Sequence, residues 1–151
     1  MSRSDWSGWS DWRPFVHLLE TSFREAPEGF GAYAVGIPMS LHRARGKDQD
    51  GLLHVGESTW LRWRLRQFWR CITNPQATGH MAGWRFTFFH FERYFRHKTI
   101  RVRWTNATNK ETAYFKEGKL LYAYLGRHCE LPPLNYKFNW SDWERMSKKF
   151  A

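Results

Sequence analysis

The sequence predicts an α/β domain of the α+β kind, in which a small antiparallel three-stranded sheet is flanked by helices. Two short apolar runs, Ala32–Ile37 and Leu52–Val55, lie on either side of a polar, basic segment and are typical of two paired strands. A later segment, Lys98–Trp104, alternates apolar and basic side chains, which predicts a third strand with one buried face. Apolar residues at helical spacing follow these strands, so we expect helices to cover the sheet.

The first two strands should form a hairpin with a long connection. In the first strand, Tyr33 and Val35 are predicted to lie on one face, and Ala32 and Ala34 on the other. The connection, Ser40–Gly51, is rich in turn-forming and charged residues and predicts a long hairpin loop.

A helix rich in arginine and tryptophan is predicted directly after the second strand. Ser58 or Thr59 is a suitable N-cap, and the helix should include Trp60–Trp69. A basic stripe recurs every four residues on one face of this helix: Arg62, Arg66 and Arg70.

Three further segments complete the predicted fold. The segment His80–Arg96 fits a strand by alternation and a helix by its apolar spacing, and the longer helical pattern is preferred. Another helix is predicted for Lys110–Leu125, with Gly126 as the residue that ends it. The segment Leu131–Asn135 contains two consecutive prolines, which forbid a helix, so it should lie extended against the sheet.

The sequence divides into a central domain and two short ends. We assign residues 1–29 to a Trp-rich N-terminal arm with a short helix, residues 30–136 to the domain, and residues 137–151 to a basic C-terminal tail. The tripeptide Ser-Asp-Trp occurs in both ends, where the Ser-Asp pair could cap a turn and the Trp could anchor the end to the domain.

The composition points to a polyanionic partner. The chain of 151 residues has a formal net charge of +10, which favours nucleic acid first and an anionic membrane surface second over a basic protein without such a partner. Its two cysteines, Cys71 and Cys129, form no metal-spacing motif, and no apolar run is long enough for a transmembrane helix. We therefore expect an intracellular protein that neither spans nor binds a membrane.

Four short motifs resemble those of the GIY-YIG nuclease family. Gly31-Ala32-Tyr33 is similar to the first signature, and His54-Val55-Gly56 is similar to the second, with His in place of the usual Tyr. The family's spacing from the second signature leads to Arg64 as its essential arginine. The segments Glu117–Leu121 and Leu131–Asn135 resemble the family's metal-binding glutamate segment and the proline-rich stretch that ends in Asn.

The resemblance implies a fold of GIY-YIG type and a catalytic role for four residues. Tyr33 would activate or position the attacking water, Arg64 would offer its planar fork to the phosphate, and Glu117 would bind Mg²⁺ or Mn²⁺. His54 would assist with the proton, since imidazole titrates near neutrality. The alternatives are a core tyrosine for Tyr33 and a surface ion pair with Lys116 or Lys119 for Glu117.

Four more residues are predicted to bind the substrate: Arg62, Arg66, His80 and Asn135. The two arginines would contact the nucleic-acid backbone, unless their run is an ordinary solvated face. His80 follows a turn-rich segment that interrupts the helices and would lie beside the site, unless it is a polar surface residue. Asn135 would hold Glu117 or touch the substrate, unless its side chain satisfies the backbone of a turn.

The predicted function is metal-dependent endonucleolytic cleavage of nucleic acid, with double-stranded DNA favoured. The alternative is a catalytically weakened nucleic-acid-binding module, which His54 and Glu57 keep open because the family often has Tyr and Lys at these two positions. A third interpretation is an accessory basic protein that binds a partner through its Trp-rich ends. The sequence indicates neither the target nor the oligomeric state.

Overall fold

A four-stranded antiparallel sheet forms the centre of the protein in a computed structural model that describes every residue from Met1 to Ala151. Its strands are β1 (Arg13–Pro14), β2 (Gly31–Gly36), β5 (Leu52–Ser58) and β6 (Arg101–Asn106), and their order across the sheet is β1-β6-β2-β5. A separate small hairpin consists of β3 (Leu41–His42) and β4 (Lys47–Asp48).

The three predicted strands correspond to β2, β5 and β6, and the mixed helix-and-sheet class is confirmed. The sheet has one more strand than predicted because β1, only two residues long, pairs with the outer edge of β6. A strand this short shows no alternation in the sequence, and Pro14, which has no N–H, is acceptable only at such an edge.

Five helices cover the sheet: α1 (Phe15–Glu20), α2 (Leu61–Thr73), α3 (Met81–Phe88), α4 (Lys110–His128) and α5 (Trp140–Phe150). Two short 3₁₀ helices, Phe91–Arg93 and His97–Thr99, connect α3 to β6. None of the helices is both long and apolar enough to cross a membrane.

The long helix predicted for His80–Arg96 is wrong beyond Phe88. The chain leaves the helix at Phe89 and His90, and His90 adopts a left-handed φ of 57°. The helical spacing of Trp84, Phe88, Phe91 and Phe95 combined two environments, since Trp84 and Phe88 are exposed on α3 whereas Phe91 and Phe95 pack against the core from the segment after it. Apolar spacing alone therefore overestimated the length of this helix, because it does not distinguish exposed aromatic residues from buried ones.

The start of α2 and the end of α4 also differ from prediction, and in both cases distant parts of the chain complete the helix. Neither Ser58 nor Thr59 caps α2; the Leu61 N–H instead donates to the Gly29 carbonyl at 3.1 Å. Gly126 does not end α4, which continues for two residues because the guanidinium of Arg45 donates to its terminal carbonyls, including that of Arg127 at 2.6 Å.

The two faces of the sheet bury different clusters, as the alternation in β2 predicted. Tyr33 and Val35 face a large core with α2, whereas Ala34 faces a smaller one with Val55 and, from α4, Tyr124. The predicted long loop between β2 and β5 contains the β3–β4 hairpin. These two cores place α2 and α4 on opposite faces of the same sheet.

Both ends of the chain pack onto the domain. In the N-terminal arm, Trp6 lies 4.1 Å from the Arg103 guanidinium and Trp12 lies 4.5 Å from that of Arg101, so the predicted basic face of β6 is covered. Residues 137–151 form more than a basic tail, since they include α5, whose Trp143 packs against Gly118 of α4.

Candidate active site

A cleft of about 320 Å³ opens at the β5 edge of the sheet, where side chains from both faces meet. Cross-strand pairing puts His54 and Gly56 on the α2 face with Tyr33, whereas Glu57 lies on the opposite face with α4. Because β5 is the last strand of the sheet, the two sets approach each other around its edge, where Asn135 also lies. The polar residues that line the cleft include Tyr33, His54, Glu57, Arg64, His80, Glu117 and Asn135.

Tyr33 is at the same time a core residue and a residue of the cleft. Its ring is 1% exposed, and its hydroxyl oxygen lies 2.7 Å from His80 Nε2 and 3.3 Å from His54 Nε2. The predicted alternative of a core tyrosine therefore describes its ring, while its hydroxyl belongs to a polar network. Such buried networks fix the positions of their members because each broken hydrogen bond leaves a group without a partner.

The backbone determines which nitrogen of His80 carries the proton in the neutral ring. His80 is the N-cap of α3, and its Nδ1 accepts a hydrogen bond from the Gly83 N–H at 3.3 Å. The proton is therefore on Nε2, which donates to the Tyr33 oxygen. The Tyr33 hydroxyl then keeps its own proton for His54 Nε2. At 2% exposure, His80 is not the polar surface residue of the alternative interpretation.

The pKa values of this network favour neutral groups. Burial raises the pKa of Tyr33 well above its usual value, so a phenolate does not form readily. Burial, followed by the nearby charge of Arg64, lowers the pKa of His54 to about 3. The lowered pKa of His54 differs from that of a free imidazole, which was the reason for predicting its role in proton transfer. Burial and the charges of His54 and Arg64 lower the pKa of His80 as well.

The network leaves no space for a side chain at position 56, so only glycine fits there. A Cβ atom there would lie 2.6 Å from the Tyr33 hydroxyl oxygen and 2.9 Å from His54 Nε2. Contacts this short require the two side chains to shift. The glycine of the second signature is therefore explained by the close approach of the Tyr33 ring to the β5 backbone.

Arg64 lies on α2 and reaches the cleft from the same face as Tyr33. Its Nη1 donates to the Gly79 carbonyl at 2.9 Å, which attaches α2 to the loop before α3. Arg64 lines the cleft with His54, and its charge contributes, after burial, to the lowered pKa of His54. The guanidinium is thus held at the cleft with donors to spare for an anion.

Two carboxylates enter the cleft from the α4 face. Burial raises the pKa of Glu117 to about 8, and the charge of Glu57 adds to this effect. Burial also raises the pKa of Glu57, whose Oε2 is buried without a hydrogen-bond partner. The predicted alternative pairing of Glu117 is not observed for Lys116, whose ammonium donates to Thr105 Oγ1 at 3.0 Å.

Glu57 and Glu117 both offer carboxylate oxygens, the type of ligand that divalent cations such as Mg²⁺ prefer. A cation between Glu57 and Glu117 would relieve the repulsion between the two carboxylates. The Glu57 oxygen that has no hydrogen-bond partner would then become one of its ligands. The protein has no cluster of three or more His, Cys, Asp or Glu arranged to hold a metal. Water and substrate oxygens would therefore complete the coordination, as is common for Mg²⁺.

Three of the predicted substrate-binding residues have structural partners instead. Arg62 donates to the Ala26 carbonyl at 2.8 Å and pairs with Glu28, and Arg66 donates to the Ser22 carbonyl; neither arginine lines the cleft. Asn135 lines the cleft, but its amide accepts from the Val55 N–H at 2.9 Å and donates to the Val55 carbonyl at 2.8 Å.

Asn135 therefore acts as a strand partner at the edge of β5. Its segment lies against the sheet as predicted, but it turns rather than extends, because the Asn135 N–H donates to the Pro132 carbonyl at 2.9 Å. Asn135 thus neither holds Glu117 nor caps its own turn through the side chain. By fixing the backbone at Val55, it fixes the neighbouring His54.

Sequence reasoning did not assign to the site three charged residues that line the cleft, Glu57, Lys137 and Asp142, nor Arg85 beside it. Glu57 was considered only as a departure from the usual Lys, although its position directly after the second signature places it opposite α4. Arg85 on α3 was not singled out; its charge reaches His54 and its guanidinium lies 5.9 Å from the ring of Tyr136, a residue of the cleft wall. Arg85 lies within an aromatic-rich segment, and nothing in the sequence there indicates that its charge is near the cleft.

The chain matches no family model, no curated protein and no solved structure. The chemistry of the cleft is accordingly argued from its own groups. A fixed guanidinium, two carboxylates and a hydroxyl held between two neutral imidazoles line one cleft, and these groups have the chemistry needed to bind an anion, bind a cation and transfer a proton.

Proposed function

We propose that the protein is a divalent-metal-dependent endonuclease of GIY-YIG type that hydrolyses phosphodiester bonds in DNA. The observation that carries the proposal is that Tyr33, His54, Arg64 and Glu117, which lie on four different elements, line one cleft. The net charge of +10 supports a polyanionic substrate.

Arg64 would bind the scissile phosphate. Its guanidinium is already anchored to Gly79 through Nη1, so little side-chain freedom would be lost on binding. The phosphate would lie between this positive charge and the carboxylates of α4 and β5.

Glu117 would hold Mg²⁺ or Mn²⁺, and Glu57 would contribute a second oxygen. When bound, such an ion stabilises negative charge on the phosphoryl group and on the leaving oxygen. The raised pKa of Glu117 means that the free site tends to keep this carboxyl protonated, so ion binding would release a proton.

Tyr33 and His54 would receive the proton of the attacking water. The water would donate to the Tyr33 oxygen, which His80 holds in place, while the hydroxyl proton of Tyr33 passes to His54 Nε2. The water oxygen forms the new bond to phosphorus, the bond to the leaving oxygen breaks, and the leaving oxygen keeps the electron pair and takes a proton from solvent. This relay requires no free phenolate, in agreement with the raised pKa of Tyr33.

The second candidate is a nucleic-acid-binding module whose catalysis is weakened. It is favoured by Glu57, whose negative charge lies where the family often has a lysine, and by the lowered pKa of His54, which makes this imidazole a weak base. The two candidates differ in what Glu57 does: it binds the cation in the first and repels the phosphate in the second.

The proposal is tested by nicking of supercoiled plasmid in Mg²⁺, with DNA binding measured in parallel by anisotropy. Arg64→Lys should lower the rate about 100-fold or more, by loss of the bidentate fork, whereas the exposed Arg24→Lys should leave it unchanged. Glu57→Gln should raise the Mg²⁺ concentration required for cleavage. If wild type binds DNA but does not nick it, and Glu57→Lys creates nicking, the second candidate replaces the first.

A further inference from the structure

An exposed aromatic surface continues from the cleft along α3. It consists of Trp84, Phe88, Phe89 and Tyr136 and is called the aromatic patch below. These side chains are 41%, 58%, 47% and 59% exposed, respectively. Large contiguous exposed apolar surfaces are uncommon on monomeric proteins and are typical of sites that bind a ligand, a partner protein or a membrane.

Three rings of the aromatic patch touch in a row, and Arg85 connects the fourth, Tyr136, to them. Trp84 and Phe88 stack with their ring centroids 4.7 Å apart, and Phe88 contacts Phe89 edge-to-face at 5.2 Å. The Arg85 guanidinium lies 5.1 Å from the Phe89 ring and 5.9 Å from the Tyr136 ring. Because Tyr136 also lines the cleft, the row leads from the cleft to the far end of α3.

The charges beside the aromatic patch favour nucleic acid over an apolar protein surface. Arg85 lies within the row, and the Lys137 ammonium lies 5.5 Å from the Tyr136 ring. Arg93 follows on the exposed 3₁₀ helix after α3. Rings interleaved with cations, next to a site that binds a phosphate, are the combination that holds single-stranded nucleic acid.

Stacking on these rings selects for unpaired bases. In a duplex each base is covered above and below by its neighbours, so its flat face is not free to meet a side chain. An unpaired base offers that face, and stacking on an aromatic side chain contributes about 1–3 kcal/mol per base.

We propose that the aromatic patch binds unpaired nucleotides next to the scissile phosphate, so that the substrate is DNA with a single-stranded or unpaired segment beside the cleavage site. This inference rests on the proposed nuclease function, since that function places a phosphate in the cleft. It narrows the substrate from fully paired duplex to bubbles, flaps or junctions.

Binding without cleavage separates this inference from the nuclease proposal. Fluorescein-labelled DNA of equal length, either fully paired or with a central bubble of unpaired nucleotides, is titrated with protein in EDTA at fixed salt. Wild type should bind the bubble about 10-fold more tightly than the duplex, and Phe88→Ala should remove about 5-fold or more of bubble affinity, as loss of one stacked base implies.

Two variants serve as controls for this measurement. Phe88→Leu keeps the apolar side chain but lacks the flat ring, so it should also lose preference for the bubble. Trp60→Ala removes a ring that is 66% exposed on another element and should leave both affinities unchanged.

Equal affinity of wild type for bubble and duplex overturns the inference, even if the protein cuts plasmid in Mg²⁺. Bubble preference that depends on Phe88 supports it, even if no cleavage is found and the nuclease proposal fails. Sedimentation gives the remaining outcome: a dimer that Phe88→Ala converts to a monomer would identify the aromatic patch as a contact between copies and overturn the inference.

Discussion

Replacing Gly56 with alanine tests whether the Tyr33 network has the geometry described. The added Cβ would lie 2.6 Å from the Tyr33 hydroxyl oxygen, 2.8 Å from Tyr33 Cζ and 2.9 Å from His54 Nε2. Overpacking of a closed site costs about 1–3 kcal/mol, and each of the two hydrogen bonds of Tyr33 contributes about 1 kcal/mol. Alanine recovers about 0.5–1 kcal/mol by restricting the unfolded chain. The net loss should be about 2–4 kcal/mol.

Urea unfolding at neutral pH measures this loss, and Gly126→Ala is the matched control. Gly126 lies within α4, and a Cβ atom there would have no neighbour within 4 Å. The control should gain about 0.5–1 kcal/mol, because glycine is a poor helix former. If Gly56→Ala were as stable as wild type and cut DNA at the same rate, the close packing of Tyr33 on β5 would be refuted.

The other predictions concern stability. Gly118→Ala should cost about 1–3 kcal/mol in urea and expose α5 to protease, since its Cβ would lie 2.8 Å from Trp143 Cε3; unchanged proteolysis would contradict the packing. Asp48→Ala should cost about 2–4 kcal/mol, because the fully buried carboxylate accepts from the Leu52 N–H at 2.7 Å; a loss below about 0.5 kcal/mol would refute that role. His80 stays neutral when folded, so below its unfolded pKa its contribution to stability is lost at about 1.4 kcal/mol per pH unit. His80→Asn, which can still cap α3, should therefore show a flatter decline from pH 7 to 5, and an equal decline would contradict the lowered pKa.

Periodicity in the sequence was sufficient for the three longer strands of the sheet and for the existence of α2 and α4. The alternation around Tyr33 and Val35 assigned the correct faces of β2, because one face is buried against α2 and the other against α4. Helix ends were not predictable in this way. The carbonyl groups at the end of α4 are satisfied by Arg45, a residue far away in sequence, so no local signal marks where the helix stops.

The candidate site was predictable where motifs specify it and not where partners do. The motif resemblance led to Tyr33 and Arg64, which line the cleft. The basic stripe on α2 wrongly suggested substrate-binding residues, because Arg62 and Arg66 instead donate hydrogen bonds to backbone carbonyls of the segment before β2. Glu57 was missed because its importance depends on the strand order, which places it at the sheet edge facing α4.

Cleavage of one supercoiled plasmid preparation by wild type and by Glu117→Gln tests the central claim most directly. The substitution keeps the shape of the side chain and removes its charge, and Glu20→Gln at an exposed position of α1 controls for general loss of charge. Wild type and the control should convert the plasmid to nicked or linear form in Mg²⁺ and leave it intact in EDTA, while Glu117→Gln should be inactive yet still bind DNA. Equal cleavage by Glu117→Gln and wild type, or cleavage that EDTA does not stop, would contradict the metal-dependent active site.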